Sequence, residues 1–236
     1  MLIEKHTLRS CGWFCHNLKI ANRAMRVKET EMGDPLPQRC EIVSWHAVHA
    51  MARKLAHQVI DSGFRPEIIV AIGRGGLVPG RILSDLLGQM DLTSFKIEHY
   101  HHATKLRAAR VRYPLAADVA GRRVLLVDDV ADSGETFAIA LEHLASHGAP
   151  AAVKSAVLHY KTVSPYRPDF YARQVRNWRW IIYPWAVAED VGSCLRAMQP
   201  PPADAAQAAQ RLAEAHGIRL PRNLLADLLA IIRAAP

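Results

Sequence analysis

One segment in the middle of the chain constrains its fold more than any other. Residues 123–127 read Arg-Val-Leu-Leu-Val, an apolar run typical of a buried parallel strand, and Asp128 and Asp129 follow it directly. A short polar stretch over residues 132–136, Asp-Ser-Gly-Glu-Thr, then leads into apolar residues at helical spacing over about 135–147. This order predicts a strand, a tight turn and a helix, which is the repeating unit of a parallel α/β sheet.

The same alternation recurs along most of the chain. Further strands are predicted at 67–72, 95–100, 152–160 and 180–183, and further helices at 43–62, 77–87, 203–216 and 221–234. We therefore predict an α/β fold with a doubly wound, mainly parallel sheet, flanking helices and a small C-terminal helical appendage. The last helix has a broad apolar face, which must pack on the main domain or on a partner.

Changes in composition divide the chain into three predicted parts. These are an irregular N-terminal extension over 1–40, a main domain over 41–198 and the helical appendage over 199–236. Within the extension, Cys11, Cys15 and His16 resemble half of a zinc site. No second Cys/His pair lies at a useful spacing, so unpaired thiols in a loose extension are the favoured interpretation.

The overall composition limits where in the cell we expect the protein, but it does not identify what the protein binds. No run of 18 or more apolar residues occurs, and no apolar N-terminal run precedes a small-residue cleavage site, so we expect neither a membrane span nor secretion. Four cysteines in 236 residues favour a reducing cytoplasm. The formal net charge of +8 fits nucleic acid, an anionic membrane surface or a polyanionic small substrate, and charge alone does not choose among them.

The polar residues after the central strand predict a site for an anionic ligand. Ligands of open α/β sheets bind at the C-terminal ends of the strands. The backbone N–H groups of residues 132–136, the hydroxyls of Ser133 and Thr136 and the helix N-terminus suit a phosphate group. The carboxylates of Asp128 and Asp129 suit the hydroxyls of a ribose or a magnesium ion. An ordinary strand–turn–helix with capping residues is the alternative.

A second glycine-rich turn follows the strand predicted at 67–72. It consists of Gly73, Arg74, Gly75 and Gly76. Glycines expose backbone N–H groups, and the arginine guanidinium suits phosphate oxygens. The turn lacks the third glycine of a dinucleotide-binding fingerprint and the Lys-Ser/Thr pair of a Walker A loop. Two anion sites at neighbouring strand ends indicate a ligand with phosphates at both ends, whereas a tight strand–helix turn is the plainer alternative.

Together these segments resemble the signature of the type I phosphoribosyltransferases. Residues 69–87, above all the string Arg-Gly-Gly-Leu-Val-Pro-Gly over 74–80, are similar to the xanthine–guanine and hypoxanthine phosphoribosyltransferases of bacteria and archaea. Lys161 follows a predicted strand, and Trp180 begins the string Trp-Ile-Ile-Tyr-Pro-Trp nineteen residues later, about the spacing of the purine-binding lysine and tryptophan in those enzymes. The resemblance covers about residues 41–190 and implies the type I phosphoribosyltransferase fold.

The resemblance also implies an activity, its partners and a cofactor. The chain would transfer the 5-phosphoribosyl group from phosphoribosyl pyrophosphate to a 6-oxopurine, releasing pyrophosphate, in purine salvage. The base would be xanthine, guanine or hypoxanthine, and Mg²⁺ would be the cofactor. We expect a homo-oligomer in the cytoplasm, with neither membrane nor nucleic acid as partner.

The resemblance further implies which residues bind the sugar and its phosphates. Pyrophosphate would lie on Gly73, Arg74, Gly75 and Gly76, with a non-proline cis peptide in that turn. Asp128 and Asp129 would contact the ribose hydroxyls and magnesium. The 5-phosphate would lie on Asp132, Ser133, Gly134, Glu135 and Thr136.

The remaining implied roles concern the purine. Asp132 would lie near N7 of the base and take a proton as the new bond forms. Lys161 would donate to the 6-oxo group, Trp180 would stack on the ring, and the backbone of Ile181 and Ile182 would read its edge. An ammonium is a donor only, so it pairs with a 6-oxo group and not with the 6-amino group of adenine. An exposed lysine and a core tryptophan are the plainer alternatives.

Some residues depart from the family pattern or leave another function open. Ser133 replaces the commoner Thr, and Glu135 puts an acidic side chain in a phosphate loop. The segment His99–His102 and Lys105 fall where relatives carry a mobile loop that closes over the reaction. The alternative function is a non-catalytic regulator that senses phosphoribosyl pyrophosphate and binds nucleic acid through its basic surface. The base-binding pair Lys161 and Trp180 disfavours this alternative, because such a sensor needs no base pocket.

Overall fold

The computed structural model describes residues 39–101 and 107–234 of the chain. The predictions made for Cys11, Cys15, His16, His102 and Lys105 fall outside the described residues. In chain order the elements are β1 (Cys40–Ile42), α1 (Trp45–Asp61), β2 (Ile68–Gly73), α2 (Leu77–Leu86), β3 (Leu92–His101), β4 (Arg107–Tyr113), β5 (Arg123–Ala131), α3 (Glu135–Gly148), β6 (Ala152–Lys161), β7 (Phe170–Val175), β8 (Trp180–Ile182), α4 (Val187–Ala197), α5 (Ala205–His216) and α6 (Arg222–Ala234). Within the described chain, contacts define two units, residues 49–176 and residues 39–48 with 177–234.

The first unit is built on a six-stranded sheet in the order β4-β3-β2-β5-β6-β7. Every neighbouring pair of strands is parallel except β3 with β4. The apolar runs 68–72 in β2 and 124–127 in β5 are almost completely buried, which is usual for parallel strands. Ala71 pairs with Val127, so these two strands end at the same edge of the sheet. The predicted mainly parallel sheet with flanking helices is confirmed.

Helix α3 packs on the sheet through one apolar face. Phe137, Ala140 and Leu144 are spaced three and four residues apart and are almost completely buried in the core of the first unit. The core also contains side chains from the neighbouring strands, among them Val70, Phe95, Leu126 and Val157. This packing fixes the start of α3 directly after the end of β5, where the predicted phosphate loop lies.

The second unit has its own core. β1 and β8 form a two-stranded parallel sheet, and α4, α5 and α6 pack with it. Asp204 caps α5 by accepting a hydrogen bond from the backbone N–H of Gln207 at 2.8 Å, and Gly217 ends this helix in the left-handed conformation. The apolar face of α6 is buried here through Leu225, Leu228 and Leu229. The apolar face of the last helix, which the sequence predicts must pack on another surface, is therefore buried within the second unit.

Besides β4, which falls in the polar stretch 101–120 expected to form a loop with a short strand or two, three short elements were not predicted from the sequence. β1 has only three residues, β7 is an edge strand that mixes buried and exposed residues without regular alternation, and α4 contains a glycine that lowers its helix propensity. By contacts, β8 and α4 group with the two C-terminal helices. The predicted domain limits, 41–198 and 199–236, stay predictions. None of the helices in the two described stretches is long and apolar enough to cross a membrane.

His143 on α3 makes a contact in the first unit that depends on its protonation state. Its Nε2 atom accepts a hydrogen bond from the backbone N–H of Leu115 at 3.0 Å, so this nitrogen carries no proton. Partial burial, and secondly the charge of His147, lower the pKa of His143. When folding lowers the pKa of a histidine, the neutral side chain stabilises the folded state. This contribution is fully present above the ordinary histidine pKa of about 6.5. That contribution is lost as the pH falls through the lowered value.

We expect the thermal unfolding midpoint to fall more steeply with acidification in the wild type than in His143→Gln. The glutamine amide oxygen can still accept the Leu115 hydrogen bond but does not titrate. Unfolding scans between about pH 7 and pH 5 would measure the difference, because this window covers the ordinary pKa and the range below it. His57→Gln, at an exposed position of α1, is the control. Parallel curves for wild type and His143→Gln would contradict the expectation.

Candidate active site

Three neighbouring strands bring the predicted site residues of the first unit to one edge of the sheet. β2, β5 and β6 are adjacent and parallel, so their C-terminal ends lie side by side. β2 ends at Gly73, β5 contains Asp128 and Asp129, and β6 ends at Lys161. This edge is where open α/β sheets bind their ligands.

The glycine-rich turn after β2 touches the aspartate pair of β5. A Cβ atom added to Gly75 would lie 2.6 Å from Cγ of Asp129, and one added to Gly76 would lie 2.2 Å from the carbonyl oxygen of Val127. A side chain at Gly76 would therefore collide with backbone, and one at Gly75 would displace the Asp129 carboxylate or the turn. The peptide between Gly73 and Arg74 is cis, as the resemblance implies. Arg74 is exposed beside this turn, where its guanidinium can meet a ligand from solvent.

The two adjacent aspartates have different surroundings. Asp128 is only 8% exposed, and its Oδ1 atom accepts a hydrogen bond from the backbone N–H of Asp129 at 2.9 Å. Burial, and secondly the charge of Asp129, raise the pKa of Asp128 well above its usual range. Asp129 is partly exposed and lies against Gly75. A nearby cation would favour the ionised form of both groups.

This pair has the donor chemistry that a magnesium ion requires. In the part of the chain that the structure describes, no group of three or more His, Cys, Asp or Glu side chains is placed to hold a metal ion. Magnesium in phosphate-handling sites uses only one or two protein carboxylates and takes its other oxygens from water and substrate. Asp128 and Asp129 therefore fit the ion, provided that the substrate completes its coordination.

The loop between β5 and α3 turns at a glycine directly before the helix. Gly134 adopts the left-handed conformation, with φ of 78°, and precedes α3 as its N-cap residue. Glycine has no side chain to cap the helix. The hydroxyl of the preceding Ser133 accepts a hydrogen bond from the backbone N–H of Glu135 at 3.4 Å. The Glu135 carboxylate accepts from the backbone N–H of Ala109 in β4 at 3.1 Å. This contact turns the acidic group towards β4, so it does not occupy the loop.

Lys161 and Asp132 form an ion pair that the sequence did not reveal. The Lys161 side chain is almost completely buried, and its Nζ atom lies 2.5 Å from Oδ2 of Asp132. The Asp132 side chain is 36% exposed, so one end of the pair faces solvent. A buried ammonium requires such a partner, because an unpaired charge in the interior is strongly destabilising. Two residues with separately predicted roles therefore act on each other.

The predicted base-binding residues of β8 belong to the second unit. Ile181 and Ile182 are buried, and Trp180 is partly buried. The carbonyl oxygen of Ile182 accepts a hydrogen bond from the backbone N–H of Val43 at 2.9 Å. Their role towards a purine stays a prediction.

Two residues near the site were missed. Ser164 and Tyr166, in the turn between β6 and β7, lie within van der Waals distance of Gly134. No motif marks them in the sequence, because their contact depends on how β6 places the following turn beside α3.

Comparison with known proteins identifies the family. The sequence-family model of the phosphoribosyl transferase domain matches residues 39–190. A xanthine-guanine phosphoribosyltransferase of Gluconobacter oxydans is 34% identical over 148 residues, which is 62% of this chain and 84% of the relative. Another, of Idiomarina loihiensis, is 29% identical over 143 residues, or 61% of this chain and 84% of the relative.

A solved structure agrees with the sequence relatives. The purine phosphoribosyltransferase of Pyrococcus horikoshii superposes with a TM-score of 0.56 at 28% identity, covering 62% of this chain and 93% of that one. The predicted likeness to the xanthine–guanine enzymes and the predicted fold are therefore confirmed. This chain belongs to the phosphoribosyltransferase family.

Proposed function

We propose that the protein transfers the 5-phosphoribosyl group from phosphoribosyl pyrophosphate to a 6-oxopurine and releases pyrophosphate, in purine salvage. The base would be xanthine, guanine or hypoxanthine. The observation that carries the proposal is the meeting of three features at one sheet edge: the Gly75–Asp129 contact, the loop at 132–136 and the buried Lys161–Asp132 pair. The named relatives, which are purine and xanthine-guanine enzymes, support the choice of base.

The residues at the end of β2 and β5 would hold the sugar diphosphate. The turn at 73–76 would present backbone N–H groups to the pyrophosphate, with Arg74 as a charged contact. Asp128 and Asp129 would accept hydrogen bonds from the ribose hydroxyls and would hold Mg²⁺. Bound magnesium supplies positive charge that neutralises the departing pyrophosphate. Loop 132–136 would bind the 5-phosphate at the start of α3.

The Lys161–Asp132 pair would bind the purine and accept its N7 proton. The Lys161 Nζ atom would donate to the 6-oxo oxygen, and Asp132 would accept the proton from N7 while N9 bonds to C1 of the ribose. The bond from C1 to the pyrophosphate oxygen breaks as the N9 bond forms, and the electron pair leaves with pyrophosphate. Charge and position supply most of the catalysis in such a reaction.

The roles of Trp180, Ile181 and Ile182 rest on the resemblance alone. Trp180 would stack on the purine, an interaction worth ~1–3 kcal/mol per base in nucleic-acid sites. The backbone of the two isoleucines would read the edge of the base.

Lys161→Met should remove the preference for 6-oxopurines while it keeps the volume of the side chain. Loss of a hydrogen bond from a charged donor lowers kcat/KM by about 10- to 100-fold for hypoxanthine, but not for adenine. Steady-state rates with both bases give the ratio. Lys54→Met is the control, because this lysine is exposed on α1 and donates to the carbonyl oxygen of Ala172 at 2.7 Å, away from the residues assigned to the site. An unchanged ratio in Lys161→Met would exclude a contact to the 6-oxo group.

The function itself is tested by one assay. The full chain is incubated with phosphoribosyl pyrophosphate, Mg²⁺ and each of xanthine, guanine, hypoxanthine and adenine, and pyrophosphate release is measured. Faster release with at least one 6-oxopurine than with adenine supports the proposal. Absence of release with all four bases, together with salt-dependent binding to RNA or DNA, would instead support the regulator.

A further inference from the structure

A hydrogen-bonded group of side chains lies beside the loop at 132–136. It consists of Ser155 on β6 with Tyr166 and Asp169 from the turn that follows. We propose that Tyr166 is a positioning residue, held by Ser155 and Asp169, which fixes the backbone at Gly134 for the 5-phosphate of the cosubstrate. The inference rests on the proposed function of loop 132–136.

Tyr166 packs directly on the loop and on the helix that follows it. A Cβ atom added to Gly134 would lie 2.9 Å from Cβ of Tyr166 and 3.2 Å from Oγ of Ser164. The Tyr166 ring stacks on Phe137 in the first turn of α3, with ring centres 4.7 Å apart and planes 10° from parallel. One side chain therefore contacts both the N-cap residue and the first turn that supply the N–H groups.

The hydroxyl end of Tyr166 is fixed as firmly as its ring. It donates to Oγ of Ser155 at 2.8 Å, and Ser155 in turn donates to Oδ2 of Asp169 at 2.9 Å. The backbone N–H of Ser155 donates to Oδ2 of Asp169, and the backbone N–H of Asp169 donates to Oγ of Ser155, each at 2.9 Å. Lys154 donates to Oδ1 of Asp169 at 2.7 Å. Burial raises the pKa of the Tyr166 phenol, so the hydroxyl remains a donor at neutral pH.

This network links the loop to the strand that carries Lys161. Ser155 lies on β6, whose last residue is Lys161, so one rigid strand anchors both the buried ammonium and the tyrosine. A loop that binds a phosphate through backbone N–H groups depends on a preformed shape, because those donors cannot reorient without moving the chain. Loss of the Tyr166 hydroxyl bond would allow the loop to take other shapes, which weakens phosphate binding without removing a contact to the ligand.

The test separates the two phosphate sites of the cosubstrate. Calorimetric titrations of the full chain with ribose 5-phosphate and with inorganic pyrophosphate, both with Mg²⁺, compare wild type, Tyr166→Phe and Ser155→Ala. We expect both variants to weaken ribose 5-phosphate about 5-fold, the effect of one lost hydrogen bond, with pyrophosphate binding unchanged. KM for phosphoribosyl pyrophosphate should rise with little change in kcat. Tyr171→Phe is the matched control, because its hydroxyl accepts from Arg167 at 3.1 Å.

Each outcome decides the inference. Unchanged binding of ribose 5-phosphate in Tyr166→Phe would overturn it, and so would equal weakening of both ligands together with a lower thermal midpoint, since that pattern marks a general structural role. If the wild type binds ribose 5-phosphate but releases no pyrophosphate with any purine, the proposed function fails while the binding ratio still decides the role of Tyr166. A wild type that binds no ribose 5-phosphate would overturn the phosphate loop and the inference together.

Discussion

Asp132→Asn is expected to lower the turnover number by about 100-fold or more, the usual contribution of a general base, with little change in cosubstrate binding. Asparagine keeps the shape of the side chain, and its amide oxygen can still accept the hydrogen bond that Oδ2 accepts from Lys161. It cannot take a proton from N7 of the purine. The loss should therefore appear in kcat, with KM for phosphoribosyl pyrophosphate nearly constant.

A second consequence of this substitution concerns stability. The Lys161 ammonium is almost completely buried, and the variant removes the negative charge that partners it. We expect a lower thermal midpoint, so turnover must be measured at saturating substrate on protein shown to be folded. Asp85→Asn is the control, because Asp85 is an exposed carboxylate 3.9 Å from Arg81 and has no assigned role in the site. Wild-type turnover in Asp132→Asn would rule out proton transfer to this carboxylate.

The other large effect is expected for Gly75→Ala. The added methyl group would lie 2.6 Å from Oδ1 and 2.7 Å from Oδ2 of Asp129, so either the turn or the carboxylate must move. A displacement of about 1 Å in a reacting group can cost about 100-fold in rate, and we expect kcat/KM to fall by that amount. The fold should survive, because the clash is with one partly exposed side chain at the edge of the sheet.

A double substitution shows whether the clash with Asp129 is the cause. In an Asp129→Ala background the methyl group meets no carboxylate, so Gly75→Ala should cost little more, and the two losses should not add. Gly192→Ala is the matched control outside the site, because the nearest atoms to a Cβ there belong to the flexible guanidinium of Arg196, at 3.4 Å or more. Additive losses in the double variant would show that Gly75 acts through something other than Asp129.

Most of the fold and the identity of the site segments follow from local features of the sequence. The buried strands at 68–72 and 124–127 are continuous apolar runs, and α3 has its apolar residues at helical spacing. Gly73 ends β2 and Gly75 stands in the turn that follows it, whereas Gly134 follows β5 in the left-handed conformation that favours glycine. These patterns extend over a few residues, so the chain alone specifies them, including the family resemblance that rests on them.

The tertiary structure decided the contacts between segments that are distant in sequence. It paired Lys161 with Asp132, set Gly75 against Asp129 and placed Tyr166 on Gly134. It also buried the face of α6 in a second core with β8 and α4. Periodicity records which face of an element is apolar but not which partner meets it, because the pairing depends on strand order and on the packing of all elements together. For this reason the sequence determined the chemistry available to the site, and only the folded chain determined which groups act on one another.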